Sequence, residues 1–313
     1  MKNKPLVSIL MNCFNGEKYL KEAINSIVNQ SYQNWELIFW DNQSKDNSAK
    51  IFLEYEDPRL SYYISSSHTP LGTARNEALK KAKGDWVGII DTDDIWEKNK
   101  LEKQINALNE SNYDNLTIGL IYSRVAAMNE KSEILNEICH IDFKKKLMPQ
   151  GRILEDLLLK GNFIISPSIL LNYNFLNSIG GFPKNLRHAP DYYTSCGISN
   201  LSNVICVEEI LSRYRIHKEN LTNKQKVISF EEQIRIFNEW SKVTKISTRQ
   251  KKKRLIELYT YLGLMIIKYE FNLVKGIYKI FKNGSFLFCV KICSFELIKK
   301  IRLKKLRFNS NEF

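Results

Sequence analysis

Short apolar segments alternate with amphipathic segments through the first 123 residues, and this alternation constrains the fold more than any other feature. Residues 6–11 form an apolar run that ends in the turn sequence Asn-Cys-Phe-Asn-Gly, which predicts a buried strand. In residues 17–30 the apolar side chains recur at helical spacing, which predicts a helix. A strand followed by a helix is half of a parallel β-α-β unit.

The same pattern repeats along the chain. It predicts strands at residues 35–40, 60–64, 85–90 and 117–123, and helices at residues 46–55, 73–83 and 97–110. Helices between successive strands predict an α/β fold with one mostly parallel sheet covered on both faces. Beyond residue 125 the alternation weakens, and the sequence predicts a helix at 151–160, strands at 163–171 and 204–216, and helices after 231.

The net charge of +13 is concentrated near the C-terminus. Residues 251–313 contain 15 Lys or Arg and four Glu, whereas residues 1–250 contain 32 basic and 30 acidic residues. A nearly neutral body with a basic end predicts attachment to an anionic surface rather than nucleic-acid binding. The N-terminal apolar run has no small-residue cleavage site, and the longest uncharged stretch is a poor membrane span, so we expect a cytosolic protein.

Polar clusters follow three of the predicted strands. Asn12 and Phe14 follow the first strand, Asp41 and Asn42 follow the second, and the sequence Asp-Thr-Asp-Asp at 91–94 follows the fourth. In a parallel sheet these strand ends meet at the edge where ligands bind. Clustered carboxylates raise one another's pKa unless a cation intervenes, and oxygen-only ligands favour Mg²⁺ or Mn²⁺. The cluster predicts a metal-diphosphate site, although capping of the following helix explains the same residues.

Two familiar phosphate-binding motifs are missing. The chain contains no Gly-x-Gly and no Gly-Lys, which excludes the dinucleotide fingerprint and the P-loop in their usual forms. Phosphates would then be held by a metal and by side chains such as Arg75, early in the helix predicted at 73–83. Taken alone, one Arg in a first helical turn is equally well explained as a solvated surface charge.

Several ordered motifs carry a resemblance to a known family. They are residues 6–16, residues 27–38, Trp40-Asp-Asn-Gln-Ser, Gly72-Thr-Ala-Arg-Asn, Ile90-Asp-Thr-Asp-Asp, Gly180-Gly-Phe, Asp191-Tyr-Tyr and Tyr214-Arg-Ile-His. Together they resemble the family 2 glycosyltransferases over residues 5–222. The resemblance implies a single Rossmann-like sheet of the GT-A type, an inverting sugar transfer and a divalent metal, Mn²⁺ or Mg²⁺.

The resemblance also implies a binding site for a nucleoside-diphosphate-sugar. Asn12 and Phe14 would pack against the base, and Asp91 would lie near the ribose. Asp41 and Asn42 occupy the positions of an acidic pair in which a carboxylate commonly reads uracil. UDP is therefore the expected nucleotide, although the neutral Asn42 leaves the identity of the base open.

The metal and the general base are assigned by the same resemblance. Asp93 is the expected principal metal ligand, with Asp94 as a second. The family's base lies in an acidic pair after the Gly-Gly-Phe loop, and here only Asp191 of the sequence Pro190-Asp191 remains. Asp191 would take the proton from the attacking acceptor hydroxyl.

Four further residues are expected near the acceptor or the diphosphate, namely Gly181, Tyr214, Arg215 and His217. For three of them a structural role is an open alternative. Gly181 would then belong to a tight turn, Tyr214 to the core and His217 to a satisfied surface site.

The predicted organisation is a catalytic domain at 1–225 followed by a helical, basic region at 226–313. The catalytic domain divides into a nucleotide-sugar half at 1–115 and an acceptor half at 116–225. Basic residues at 299–307 alternate with Ile and Leu, which suits an amphipathic segment on an anionic membrane face. A solvated helix or a disordered terminus is the alternative.

The sequence thus predicts an inverting, metal-dependent glycosyltransferase of a bacterium, peripheral on the inner face of the cytoplasmic membrane. It would transfer a sugar to a glycan or lipid-linked glycan in polysaccharide or lipopolysaccharide synthesis. A nucleotidyltransferase is the first alternative, although residues 15–18 are not the Gly-rich basic loop that such enzymes usually show. A nucleic-acid-binding protein is the second, and the neutral body argues against it.

Overall fold

The computed structural model describes residues 4–138, 147–220 and 226–283. The chain forms two compact units, Met1–Asn220 and Leu221–Phe313. The predicted domains at 1–225 and 226–313 stay predictions. The predicted division at residue 115 and the roles of the parts stay predictions. The basic segment at 299–307 lies outside the described residues.

The first unit is an α/β structure, which confirms the predicted class. Its strands are β1 (Val7–Cys13), β2 (Trp35–Asp41), β3 (Leu60–Ile64), β4 (Trp86–Ile89), β5 (Ile95–Trp96), β6 (Ile118–Met128), β7 (Ile134–Ile138), β8 (Leu170–Asn172) and β9 (Asn203–Arg215). Its helices are α1 (Glu17–Val28), α2 (Ser48–Leu53), α3 (Leu71–Leu79), α4 (Lys100–Asn109), α5 (Leu154–Lys160), α6 (Tyr173–Ser178) and α7 (Pro190–Leu201).

All the strands of the described residues join one sheet, in the order β3-β2-β1-β4-β8-β6-β9-β5, with β7 paired to β6. The first four strands in the chain pair in parallel, as predicted. The second half is mixed, because the short strand β8 runs antiparallel to both β4 and β6, while β9 runs parallel to β6. Apolar runs indicate a buried strand but not its direction, so these orientations could not be predicted from the pattern.

The core of the first unit lies between the sheet and its helices. In β1, Val7, Ile9 and Met11 are buried on the face that α1 covers. The apolar stripe of α1 includes Leu20 and Ile24, both fully buried. Each such side chain contributes about 1.5–3 kcal/mol of hydrophobic stabilisation. This packing fixes the direction of β1 and so the position of the polar residues at its end.

The second unit contains the helices α8 (Lys226–Trp240), α9 (Thr248–Tyr269) and α10 (Leu273–Asn283), which confirms the predicted C-terminal helices. A capping box starts α9, since the hydroxyl of Ser247 accepts from the N–H of Gln250 and the Gln250 side chain accepts in return. Within the described ranges, none of the helices combines the length and the hydrophobicity that a bilayer-spanning helix requires.

Candidate active site

The loop after β4 carries the acidic cluster, and the sheet topology brings it beside the end of β9. The N–H of Asp94 donates to the carbonyl of Asp91 across 3.2 Å, which makes a tight turn. The strand β5 follows at once and pairs with Arg213 and Ser212 of β9. Residues that are far apart in the sequence therefore meet at this strand end.

Arg75 of α3 lies at the centre of one cluster, and its side chain is only 2% exposed. Its Nη2 lies 3.3 Å from Oδ1 of Asp91, and its Nη1 lies 3.7 Å from Oδ1 of Asp191. Among the described residues, Nε and Nη1 have no hydrogen-bond partner. Buried donors in native proteins are nearly always bonded, so Arg75 has donor capacity beyond its contacts with the two carboxylates.

Asp191 lies in the first turn of α7, which begins at Pro190. Proline suits the first helical position, and the helix N-terminus favours a negative charge there. The Asp191 side chain is 19% exposed, so it remains within reach of a bound molecule. The predicted base therefore lies beside the predicted donor-binding Asp91, with one guanidinium between them.

Asp93 forms a second cluster with His217. The Nε2 atom of His217 lies 2.8 Å from Oδ2 of Asp93, and the N–H of Glu219 donates to His217 Nδ1 across 3.3 Å. Because Nδ1 accepts, Nε2 carries the proton and donates to the carboxylate. Burial raises the pKa of Asp93, the charge of Asp91 raises it further, and the His217 hydrogen bond opposes both.

Asp94 has a different environment from Asp93. Its side chain is fully buried, and its Oδ1 accepts from the N–H of Arg215 across 3.0 Å. Burial raises the pKa of Asp94 well above its usual value, and the charges of Asp93 and Asp91 add to this effect. Because the Asp93 side chain is 25% exposed, it is the better placed of the two predicted metal ligands.

The described residues contain no group of three or more His, Cys, Asp or Glu side chains that could hold a metal ion by themselves. The donors that are present are carboxylate oxygens, which suit Mg²⁺ and Mn²⁺. Magnesium usually completes its coordination with water and substrate phosphates, so a partial protein set fits this chemistry. The assignments of Asp93 and Asp94 as ligands stay predictions.

Arg215 is fully buried beneath this loop. Its Nε donates to the carbonyl of Asp93 across 2.8 Å, Nη1 donates to Ser132 Oγ across 2.9 Å, and Nη2 donates to Glu22 Oε2 across 3.0 Å. The guanidinium also lies 4.2 Å from the ring centroid of Tyr19. The predicted contact with acceptor or diphosphate would require these bonds to break, so we interpret Arg215 as the residue that holds the loop.

The end of β2 is bonded locally. Asp41 is buried, with Oδ1 accepting from the N–H of Ser44 at 2.7 Å and Oδ2 accepting from the hydroxyl of Tyr62 at 2.8 Å. At the end of β1, by contrast, both polar atoms of the Asn12 side chain are buried and have no partner among the described residues. Asn12 is therefore better suited than Asp41 to meet a nucleotide without rearrangement.

The side chain of Asn42 is also hydrogen-bonded within the protein. Its Oδ1 accepts from the N–H of Thr69 at 3.1 Å, and its Nδ2 donates to the carbonyl of Thr69 at 2.7 Å. The half-exposed ring of Phe14 lies 4.1 Å from the ring of His68, centroid to centroid. Phe14 and His68 thus form an aromatic surface at this strand end. His68 belongs to none of the sequence motifs, so it was not predicted.

The Gly-Gly-Phe loop is held by α3. Gly181 has a φ of +78°, which favours glycine, and a Cβ there would lie 2.4 Å from Oδ1 of Asn76. The Asn76 amide bonds Phe182 twice, accepting from its N–H at 2.8 Å and donating to its carbonyl at 2.7 Å. No role was predicted for Asn76, although its place beside Arg75 in Gly72-Thr-Ala-Arg-Asn was a usable signal.

Tyr214 is the remaining predicted residue. It is partly exposed, lies in β9 opposite Ala127 of β6, and precedes the buried Arg215. The structure thus brings Arg75, Asp91 and Asp191 into one cluster, and Asp93 and His217 into another. The functional roles of all these residues stay predictions.

Comparison with known proteins identifies the class. The sequence profile described as Glycosyl transferase family 2 matches residues 8–170, and the chain belongs to this family. It is 32% identical over 222 residues to the Escherichia coli protein WfgD, named UDP-Glc:alpha-D-GlcNAc-diphosphoundecaprenol beta-1,3-glucosyltransferase. That alignment covers 70% of this chain and 81% of the relative. The protein is therefore a glycosyltransferase.

Two solved structures show the same fold. Staphylococcus aureus TarS in complex with UDP-GlcNAc matches with a TM-score of 0.64 at 16% identity, covering 88% of this chain and 78% of TarS. The mannosyltransferase PcManGT from Pyrobaculum calidifontis, in complex with GDP-Man and Mn²⁺, matches with a TM-score of 0.62 at 17% identity. That match covers 95% of this chain and 81% of the mannosyltransferase. The GT-A type of sheet is thus confirmed.

Proposed function

We propose that this glycosyltransferase moves a sugar from UDP to a hydroxyl group of a lipid-linked glycan and inverts the anomeric centre. The pathway is the synthesis of a bacterial cell-surface polysaccharide or lipopolysaccharide, and the enzyme is peripheral on the inner face of the cytoplasmic membrane. The name of the Escherichia coli relative supports a UDP-sugar and a lipid-diphosphate acceptor. The complexes of TarS and the mannosyltransferase support a nucleotide-sugar donor more generally.

The observation that carries the proposal is the buried position of Arg75 between Asp91 and Asp191. Asp91 follows β4 in the half of the unit expected to bind the donor. Asp191 begins α7 in the half expected to bind the acceptor. A single planar guanidinium can hold two carboxylates at a fixed spacing. The pair is therefore organised for a reaction between two bound substrates.

Asp191 acts as the general base in this proposal. The acceptor hydroxyl oxygen forms a bond to the anomeric carbon while the bond from that carbon to the diphosphate oxygen breaks. The hydroxyl proton passes to Asp191, and the electron pair of the broken bond stays on the diphosphate. Because the attack comes from the side opposite the leaving group, the configuration at the anomeric carbon is inverted.

Asp93 would hold a divalent metal, Mn²⁺ or Mg²⁺, with Asp94 as a second residue. The metal would neutralise charge on the departing diphosphate. His217 donates to one oxygen of Asp93 and thereby orients the carboxylate, as outer-sphere partners of metal ligands commonly do. The aromatic pair Phe14 and His68 would face the base.

A thermal-shift screen tests donor binding. Wild type and Asp93→Ala are heated with UDP, GDP, dTDP or CDP, with and without Mn²⁺. We expect UDP to raise the wild-type midpoint only with metal, by mass action, and Asp93→Ala to lose the effect. Asp156→Ala removes an exposed carboxylate of α5 that forms an ion pair with Lys160, and it serves as the matched control.

Product stereochemistry tests the reaction itself. Wild type is incubated with a UDP-sugar and a lipid-diphosphate sugar acceptor, and the anomeric proton coupling of the product is measured by NMR. A product whose configuration is opposite to that of the donor supports inversion, and a retained configuration overturns it.

If no nucleoside diphosphate shifts the midpoint in the presence of metal in the thermal-shift screen, the donor proposal is wrong.

A further inference from the structure

The second unit carries an apolar helix face that the catalytic proposal does not use. Helix α10 packs on α9 through Gly276 and Ile280, both buried. The two helices approach closely, since a Cβ on Gly276 would lie 2.7 Å from the carbonyl oxygen of Gly263. The other apolar side chains of α10 are exposed, namely Leu273, Val274, Ile277, Tyr278 and Phe281.

These five side chains form one continuous surface. At 3.6 residues per turn, positions 273, 274, 277, 278 and 281 fall within a single arc beside the face that contacts α9. Val274 is 81% exposed and Phe281 is 67% exposed, while Phe271, just before the helix, is 89% exposed. A contiguous apolar surface of this kind on a folded unit marks an interaction site.

The charges of α10 identify the kind of partner. The helix contains Lys275, Lys279 and Lys282 and no acidic residue. Helical spacing places these lysines along the border of the apolar arc. Apolar side chains bordered by lysines are typical of helices that lie in the interface of an anionic bilayer. A second copy of the chain would bring lysines against lysines, which opposes self-association.

We infer that α10 is a membrane-docking helix, which lies in the surface plane of an anionic bilayer with its five exposed apolar side chains against the acyl chains. Lys279 and Lys282 contact lipid phosphates, whereas Lys275 pairs with Glu270 across 3.0 Å. The inference rests on the membrane location in the proposed function and names the residues that would bind the membrane. Binding of this surface to lipid needs neither donor nor acceptor. Failure of the lipid experiment would therefore leave the transferase assignment standing.

Vesicle flotation tests the inference with the full chain. Wild type, Val274→Ser/Phe281→Ser and the matched control Leu53→Ser/Leu116→Ser are mixed with vesicles of phosphatidylglycerol and phosphatidylcholine, or of phosphatidylcholine alone. The control removes two exposed leucines, 63% and 84% exposed, from the first unit. We expect wild type and control to float with the anionic vesicles and less so at high salt. The α10 variant should bind roughly tenfold more weakly or worse.

Two measurements without lipid test whether the apolar face of α10 is covered by another part of the chain or by a second copy of it. If residues 284–313 of the chain cover this face, Val274→Ser/Phe281→Ser will lower the thermal midpoint by several degrees. If the two side chains are exposed to solvent, the same substitutions will leave the midpoint unchanged. If a second copy covers the face, sedimentation velocity will show a wild-type dimer that the variant loses. Either result, or equal flotation of the α10 variant and wild type, overturns the inference.

Discussion

The polar residues at the end of β2 and the polar residues near α3 form two sides of the candidate site, and the two sides differ in how their side chains are bonded. At the end of β2, Asp41 and Asn42 use their side-chain atoms on the adjacent strand and loop. Near α3, by contrast, Arg75 joins Asp91 to Asp191 across the unit and keeps buried donors without partners among the described residues. The first arrangement satisfies its polar atoms within the protein, whereas the second has buried donors that the described residues do not satisfy, and we propose that a substrate meets them.

This difference separates stability from activity. A substitution at the completed side breaks bonds that the folded protein already has, so it should lower the free energy of unfolding. A substitution at the incomplete side removes groups that act mainly on substrates, so it should lower the reaction rate. Three substitutions test whether the two sides behave in this way.

Asp191→Asn should have the largest effect. The amide keeps the size of the carboxylate but cannot accept the hydroxyl proton, so kcat should fall roughly 10²–10⁴-fold. The thermal shift caused by nucleotide and metal should remain, because Asp191 is expected on the acceptor side. Steady-state kinetics with a UDP-sugar and a lipid-diphosphate acceptor measure the rate.

Asp156→Asn is the matched control for this prediction. It removes one exposed carboxylate from α5 in the same half of the unit, where Lys160 is its ion-pair partner. We expect wild-type kinetics, since exposed pairs of this kind contribute little. An Asp191→Asn enzyme that keeps more than a tenth of the wild-type kcat would show that another group is the base.

Arg75→Lys should have a smaller effect on rate. Lysine keeps the positive charge, but its ammonium group is a point charge and cannot hold Asp91 and Asp191 together as the planar guanidinium does. Misplacement of the base should lower kcat roughly tenfold to 100-fold. Arg59→Lys is the control, because Arg59 bonds Asp57 two residues away and belongs to neither cluster of the candidate site.

The kinetic pattern of Arg75→Lys decides between two roles for the residue. The sequence suggested a phosphate contact, whereas the structure shows contacts with two carboxylates. If Arg75 positions Asp191, kcat falls and the UDP-induced thermal shift persists. If Arg75 binds the diphosphate directly, the thermal shift is lost and KM for the donor rises instead.

More of the strand ends than of the contacts near α3 could be predicted from the sequence. The parallel strands β1 to β4 follow apolar runs and turn residues that are local in the chain, so their positions in the sequence and their polar ends were predictable. The acidic cluster at 91–94 was predicted from its place after a strand, whereas the roles of its residues and of Asp191 came from the motif resemblance. What could not be predicted was the contact between them, because Arg75 reaches both Asp91 and Asp191 only after β8 and α7 pack.

Buried polar residues were the hardest to interpret. Arg215 was expected near a substrate because it belongs to a motif, yet its donors bond the protein on several sides. Asn76 received no role, although it fixes the backbone of Phe182 with two hydrogen bonds. A sequence motif shows that a residue matters to a site, but only burial and partners show whether it touches a substrate or supports the residues that do.

Asn42→Asp should have the smallest effect on catalysis and a clear effect on stability. A carboxylate oxygen would replace the Nδ2 donor that lies 2.7 Å from the carbonyl oxygen of Thr69, so two acceptors would face each other. We expect a loss of about 1–3 kcal/mol in the free energy of unfolding, measured by urea titration at neutral pH. The ranking of UDP over GDP in the thermal-shift screen should not change.

Acidic pH provides the control for this substitution within one protein. Repulsion from the Thr69 carbonyl raises the pKa of the introduced carboxyl in the folded state above its unfolded value. Its protonated form can donate to that carbonyl, so the deficit relative to wild type should shrink at low pH and grow as pH rises through the folded pKa. A deficit that does not depend on pH would mean that the Thr69 contact is not the cause. A change of base preference without loss of stability would instead mean that Asn42 contacts the nucleotide base. Both sides of the candidate site would then act on substrates.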